Sequence, residues 1–71
     1  MNAMNHDFGR KAVLRYGDGE VKVIQPGDYV LCAVTGQRIP VNRLRYWSAV
    51  RQEAYAGPEQ ALERLRAAGS I

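Results

Sequence analysis

Cys32-Ala-Val-Thr-Gly-Gln-Arg-Ile-Pro-Val-Asn-Arg-Leu-Arg-Tyr-Trp-Ser48 contains the lone cysteine, the lone tryptophan and a Thr-Gly turn signal of a 71-residue chain. We expect Gly36 in a turn, because glycine reaches positive φ without a Cβ clash. Pro40 confines the extended segment 38–41 to a sheet edge, since proline cannot donate to a ladder. Residues 44–48 fit a strand or a helix equally. The segment therefore predicts a turn followed by an edge strand.

Strand patterns precede this segment. Residues 12–16 and 20–24 alternate apolar and polar, and Gly17-Asp-Gly19 between them is a hairpin turn signal. Gln25-Pro-Gly-Asp28 predicts a type II turn, with its glycine at the position that requires positive φ. The apolar run 29–33 predicts a third strand, buried on both faces. A β-meander is the expected arrangement of these strands.

Helix signals follow the segment. Ser48 is a predicted N-cap for a helix that runs to about Tyr55 with Val50 facing the core. Pro58 suits the first position of a second helix, which Gly69 ends. The second helix has a thin apolar stripe of Ala61, Leu62, Leu65 and Ala68. The predicted fold class is α+β, a small antiparallel β-meander with one or two C-terminal helices.

Length and composition limit the architecture and the compartment. Seventy-one residues make one small domain, predicted as 11–71 after a flexible tail of residues 1–10. A single cysteine excludes an intrachain disulfide and fits a reducing cytoplasm. The N-terminus lacks the basic and apolar regions of a secretory signal, and the apolar runs are too short to span a bilayer. We therefore expect a cytoplasmic protein with no membrane partner.

Residues suited to catalysis or metal binding are scarce. Cys32 and His6, the only histidine, cannot close a tetrahedral zinc site. There is no carboxylate pair, Ser-His-Asp set or phosphate loop. Cys32 is expected in the core, and Glu53 is expected to pair with Arg45 or Arg51. We therefore predict no metal, no cofactor and no enzymatic activity.

A basic segment is the candidate binding surface. Residues 38–51 contain four arginines and no acidic residue. Like charges repel and exposed ion pairs contribute little, so either the cluster binds a partner or it is an ordinary solvated face. Trp47 is either an exposed anchor or a buried core residue. The residues predicted to contact a partner are Arg38, Arg43, Arg45, Trp47 and Arg51.

Two functions follow from this surface. The first is a non-catalytic adaptor or accessory subunit that binds a larger protein. The alternative is a nucleic-acid-associated module that uses the basic segment 38–51. Salt dependence separates them, because phosphate contacts release counterions and an apolar protein interface does not.

Residues 32–56 resemble the treble-clef zinc finger of the bacterial DksA/TraR family. That family combines a Cys-x-x-Cys-Gly knuckle, an Ile-Pro stretch and an Arg-Leu pair, matched here by Cys32, Gly36, Ile39, Pro40, Arg43 and Leu44. Thr35 stands in place of the second cysteine, and the later ligand positions fall near Glu53 and Ala56. The resemblance therefore implies a degenerate, metal-free knuckle.

Most of the chain also resembles a small bacterial family described as domain of unknown function 2093 (DUF2093). The resemblance rests on the blocks Leu14-Arg-Tyr, Pro26-Gly-Asp-Tyr-Val, Cys32-Ala-Val-Thr-Gly, Ile39-Pro, Leu44-Arg-Tyr-Trp-Ser and Arg51-Gln-Glu-Ala-Tyr55. It implies no particular activity.

Overall fold

The computed structural model describes residues 9–67 and residue 69. Six short strands precede one α-helix: β1 (Val13–Tyr16), β2 (Val21–Gln25), β3 (Tyr29–Leu31), β4 (Arg38–Pro40), a 3-10 helix (Val41–Arg43), β5 (Tyr46–Ser48), β6 (Glu53–Tyr55) and α1 (Pro58–Ala67). The predicted α+β class is confirmed. Most of the predicted tail, including His6, lies outside the described residues, as does Ala68.

The strands pair as three antiparallel hairpins, β1–β2, β3–β4 and β5–β6, instead of forming one continuous sheet. In the first, the Gly17 N–H donates to the carbonyl of Glu20 at 2.7 Å, which confirms the turn signal. In the second, the Gly36 N–H donates to the carbonyl of Cys32 at 2.9 Å, and Gly36 has a φ of 76°. Both turns follow from local glycine chemistry.

The link between the first two hairpins corrects the predicted type II turn. A type II turn requires a positive φ at Gly27, and Gly27 does not have one, so that prediction was wrong. A Cβ on Gly27 would instead lie 2.5 Å from the backbone nitrogen of Ala12 and 2.6 Å from the carbonyl oxygen of Arg10. Residues 10–12 run here beside the start of β3, and the Ala12 N–H donates to the Tyr29 carbonyl at 2.7 Å. Glycine is needed for this close approach of two backbones.

The third hairpin replaces the helix predicted from Ser48 to Tyr55, and that prediction was wrong. The Ser48 hydroxyl accepts the Arg51 N–H at 3.0 Å, so it closes a tight turn instead of capping a helix. Gln52 has a left-handed φ of 55°, which returns the chain to β6. Val50, predicted to face the core, lies at the tip of the turn and is 95% exposed.

The core is small and contains few large side chains. Its buried apolar residues are Ala12, Tyr16, Val30, Cys32, Ile39, Ala54 and Tyr55. Cys32 is thus a core residue, as predicted. The expected burial of the third strand on both faces was wrong, because Leu31 is 40% exposed and Tyr29 is only half-buried. Strand β3 therefore has a buried face and an outer face.

The C-terminal helix follows the sequence closely. It begins at Pro58, and the Gly69 N–H closes its end on the carbonyl of Arg66 at 3.0 Å with a φ of 77° at Gly69. The helix contacts β5 and β6. Leu62 and Leu65 from the predicted apolar stripe remain 42% and 41% exposed. The stripe is therefore only partly used within the chain.

Candidate binding surface

The predicted partner-binding residues are spread along the chain between β4 and β6. Arg38 lies on β4, Arg43 in the 3-10 helix, Arg45 in the link to β5, Trp47 on β5 and Arg51 in the β5–β6 turn. All four arginines are exposed. Their positions on different elements mean that the basic segment is not one strand face or one helix face.

Arg38 differs from the other three arginines in its surroundings. Its guanidinium carbon lies 4.4 Å from the centroid of the Tyr29 ring, which is cation–π geometry. Tyr29 lies on β3 and pairs in register with Pro40, whereas Arg38 pairs with Leu31. Arg38 therefore belongs to the outer face of the β3–β4 hairpin.

Trp47 is half-buried, between the two alternatives left by the sequence. Its indole N–H donates to the Gly17 carbonyl at 2.8 Å. The bond joins the β5–β6 hairpin to the turn of the β1–β2 hairpin. A partner at this position would not receive a hydrogen bond from the indole, because the N–H already donates within the chain.

Glu53 pairs with Arg64 of α1 and not with the predicted Arg45 or Arg51. The Arg64 Nε lies 3.2 Å from the Glu53 Oε1, and a terminal nitrogen of Arg64 donates to the Ala33 carbonyl at 3.1 Å. The predicted pairing of Glu53 was wrong because its partner lies on α1, and the sequence does not show that this helix packs against β6. The pair fixes α1 against β6 and leaves Arg45 and Arg51 at the surface.

Tyr55 completes this contact. Its hydroxyl donates to the same Glu53 oxygen at 3.0 Å. Burial raises the pKa of Tyr55, and the Glu53 carboxylate, as acceptor and as negative charge, raises that pKa further. Tyr55 is therefore a neutral phenol, and its hydrogen bond to Glu53 has a structural role.

The Cys32 turn directs backbone N–H groups at sulfur. The N–H groups of Val34 and Thr35 lie 3.4 and 3.5 Å from the Cys32 Sγ. Burial by itself raises the pKa of the Cys32 thiol, but hydrogen bonds from Thr35, Ala56 and Val34 together bring that pKa below its usual value. Such donors are the local feature that the knuckle resemblance implies, and the treble-clef relation itself stays a prediction.

A metal would need further ligands at this turn. Within residues 9–67 and residue 69, no group of three or more His, Cys, Asp or Glu side chains is placed to hold an ion. Of the two residues next to the sulfur, Thr35 offers only a hydroxyl, which is a poor ligand for zinc, and Ala56 has no side-chain atom that can bind a metal. The turn as built therefore stabilises one sulfur by backbone N–H groups and by the Thr35 hydroxyl.

Sequence reasoning missed one part of the surface. Next to the predicted arginines, Tyr46 is 40% exposed and Val50 is 95% exposed. Val50 was missed because the helix prediction turned it inward. The hairpin signal that was available is the extended apolar pattern on both sides of residues 49–52, which a four-residue turn can connect.

Comparison with known proteins gives one match. A family model described as "Uncharacterized protein conserved in bacteria (DUF2093)" matches residues 23–64, which is more than half of the chain. No curated protein and no solved structure matches. In the described part of the chain, no helix has the length and apolar character needed to cross a membrane.

Proposed function

The chain belongs to the family of uncharacterized proteins conserved in bacteria (DUF2093), and we propose that it is a non-catalytic adaptor or accessory subunit that binds a larger protein. The proposed contact surface is the hairpin surface, defined here as Arg43, Arg45, Tyr46, Val50 and Arg51 with the exposed part of Trp47. Arg38 is not included in it, because Arg38 lies over the Tyr29 ring on the β3–β4 hairpin.

Val50 is the observation that supports this proposal most directly. It is 95% exposed at the tip of a two-stranded turn, where an apolar side chain contributes nothing to the core of this chain. Tyr46 and the arginines beside it are residue types that are frequent at protein interfaces. A partner with an apolar pocket rimmed by carboxylates would fit this combination of an apolar tip and three cations.

The non-catalytic part of the proposal is supported by how the partly buried polar groups are used. Glu53 accepts the Tyr55 hydroxyl and forms an ion pair with Arg64, and a terminal nitrogen of Arg64 donates to the Ala33 carbonyl. The buried Nε of Arg64 has no hydrogen-bond partner among the described residues. Gln52 bonds only to backbone groups. A cytoplasmic location is part of the same proposal, supported by a buried free cysteine with no partner for a disulfide in the chain.

The test compares charge reversal on the hairpin surface with a matched change elsewhere. We expect Arg43→Glu with Arg45→Glu to leave the fold intact and to abolish recovery of the partner from a native lysate. Val50→Ser should weaken recovery without changing circular dichroism or thermal midpoint. Arg66→Glu, an exposed change on α1, is the control and should recover the partner at the wild-type yield.

Unchanged partners and yield for a folded double variant would contradict the proposal. In that case the exposed pair Leu62 and Leu65 on α1 becomes the next surface to test by the same assay. Any partner that is recovered should also bind the purified chain directly. The variants should raise the Kd of this direct binding in the same order in which they reduce recovery from the lysate.

A nucleic-acid-associated role of the basic segment is the second candidate. It is supported by the exposure of Arg43, Arg45 and Arg51. Phosphate contacts by these arginines would release counterions and weaken steeply with salt, whereas a protein partner that is also held by Val50 and Tyr46 would keep part of its affinity at high salt. A salt titration of the purified complex separates the two.

A further inference from the structure

The β1–β2 and β3–β4 hairpins each have one buried and one solvent-facing side. Exposure alternates along residues 11–16, so that Ala12 and Tyr16 are buried while Lys11, Val13 and Arg15 are exposed. Such alternation assigns the exposed residues to one side of the strand. In the second hairpin Val30 and Ile39 are buried, so their neighbours face outward. We name this side the outer sheet face and define it by Lys11, Val13, Arg15, Lys22, Tyr29 and Arg38.

Strand register brings these residues together. Arg15 lies directly opposite Lys22 in the β1–β2 ladder. Lys11 and Tyr29 are partners in the isolated parallel bridge that joins the two hairpins. Arg38 then covers the Tyr29 ring at 4.4 Å. The outer sheet face therefore runs from β2 through β1 and β3 to β4.

The charge on this face has one sign. Lys11, Arg15, Lys22 and Arg38 are cationic, and none of the strands β1 to β4 contains a carboxylate. The exposed carboxylates of this part of the chain, Asp18, Glu20 and Asp28, lie in the links between the strands. Glu20, in the first turn, lines a shallow cavity of about 210 Å³ with Arg15 and Lys22. Like charges directly opposite each other destabilise a ladder, so Arg15 and Lys22 do not serve the stability of this hairpin. A bound polyanion would relieve their repulsion.

We propose that the outer sheet face binds single-stranded nucleic acid. Several cations on a shallow face suit a ligand with a negative charge in every unit, because it can contact several of them at once. The guanidinium of Arg38 on Tyr29 offers a planar surface for a base, and Val13 adds apolar area between the cations. Bases are free to lie on such a face only when they are unpaired. A protein partner would carry fewer and more widely spaced carboxylates.

The experiment measures binding of the full chain to a fluorescein-labelled 20-nucleotide oligothymidylate by anisotropy at several salt concentrations. Three cation–phosphate contacts, by Lys11, Arg15 and Lys22, predict a slope of log K against log salt of about −2.1. Arg15→Gln with Lys22→Gln should bring this slope to about −0.7 and weaken binding at low salt by about tenfold. Glu20→Gln should strengthen binding, because it removes the carboxylate that lines the cavity beside these two cations.

Matched variants locate the site. Arg66→Gln, an exposed change on α1 outside both surfaces, is the control and should leave the slope unchanged. Arg43→Gln with Arg45→Gln removes two cations from the hairpin surface, the second candidate site for nucleic acid, and tests which surface binds: the present proposal predicts that this variant keeps its affinity. Loss of affinity in that variant with wild-type behaviour of the Arg15/Lys22 pair would overturn the proposal, as would no binding at 50 mM salt. Stronger competition by a duplex of equal phosphate content would exclude the single-strand assignment. Equal competition by polyglutamate would assign the face to an acidic protein.

These outcomes are independent of the adaptor proposal. Protein recovery depends on the hairpin surface, and oligonucleotide binding depends on the outer sheet face. Every variant is first compared with wild type by circular dichroism and thermal unfolding, so that a loss of fold is not read as a loss of binding.

Discussion

The side chain of Gln52 hydrogen-bonds to both backbone groups of Tyr16. Its Oε1 accepts the Tyr16 N–H at 2.9 Å, and its Nε2 donates to the Tyr16 carbonyl at 2.7 Å. The same Nε2 donates to the Ala49 carbonyl at 2.6 Å. One amide thus takes the place of a strand residue at the open edge of β1, and it links the first hairpin to the third.

We expect Gln52→Ala to destabilise the protein. It leaves the N–H and the carbonyl of the buried Tyr16 without their partners, which costs about 1–3 kcal/mol. In a domain of this size each kcal/mol corresponds to a fall in Tm of about 4–8 °C. Thermal unfolding followed by circular dichroism measures the change.

Two variants separate the amide from the backbone conformation. Gln52→Gly also loses the amide but relieves the left-handed φ of 55°, so it should lie between Gln52→Ala and wild type. Gln25→Ala, at an exposed position of β2, should change Tm little. Equal stability of Gln52→Ala and wild type would show that water replaces the amide without cost.

Gly27 and Gly36 should differ in their tolerance of alanine. A Cβ at Gly36 has no heavy atom within 4 Å, so Gly36→Ala costs only the strain of a left-handed φ, which is about 1–2 kcal/mol of unfolding free energy. A Cβ at Gly27 lies 2.5 Å from a backbone nitrogen, which cannot move as a side chain can. We therefore expect a larger loss of unfolding free energy for Gly27→Ala in urea titrations. The reverse order would contradict the close packing of the two backbones.

The elements with a local cause were predictable from sequence. Pro58 and Gly69 define the ends of α1, and Gly36 defines its turn, because each depends on the conformation of one residue. The third hairpin was not predictable in this way. Ser48 accepts an N–H from three residues later in a helix start and in a tight turn alike, so local chemistry did not distinguish them.

Only the local features of the candidate site could be predicted from sequence. The exposure of the arginines follows from their charge, whereas their grouping depends on register. Arg38 joins Tyr29, and Arg15 joins Lys22, only through strand pairing between distant segments. Likewise Glu53 finds Arg64 because α1 returns over β6. Periodicity assigns faces to strands, but it does not say which strands are neighbours.

The contact between Glu53 and Arg64 should have a measurable but modest coupling. Both side chains are partly exposed, so solvent screens the pair and we expect about 1 kcal/mol or less. A double-mutant cycle with Glu53→Gln and Arg64→Met measures it. Arg64→Met should cost more than Glu53→Gln, because Arg64 also donates to the Ala33 carbonyl. Strict additivity of the two changes would rule out the coupling.

Cys32 should make the stability of the protein depend on pH above neutrality. Burial of the sulfur raises its pKa, but the hydrogen bonds from the Thr35 hydroxyl and from backbone N–H groups outweigh this effect and lower the pKa in the folded chain. The folded state therefore loses the thiol proton more readily than the unfolded state. The stabilisation is therefore fully present above the ordinary cysteine pKa of about 8.5 and is lost as pH falls through the folded value.

Against a Cys32→Ala variant, the unfolding free energy of the wild type should rise between pH 6 and 9.5, measured in urea with reductant present. Thr35→Val, which removes a hydroxyl donor, should reduce that rise. A difference between wild type and Cys32→Ala that stays constant or shrinks with pH would mean that burial of the sulfur outweighs its hydrogen bonds.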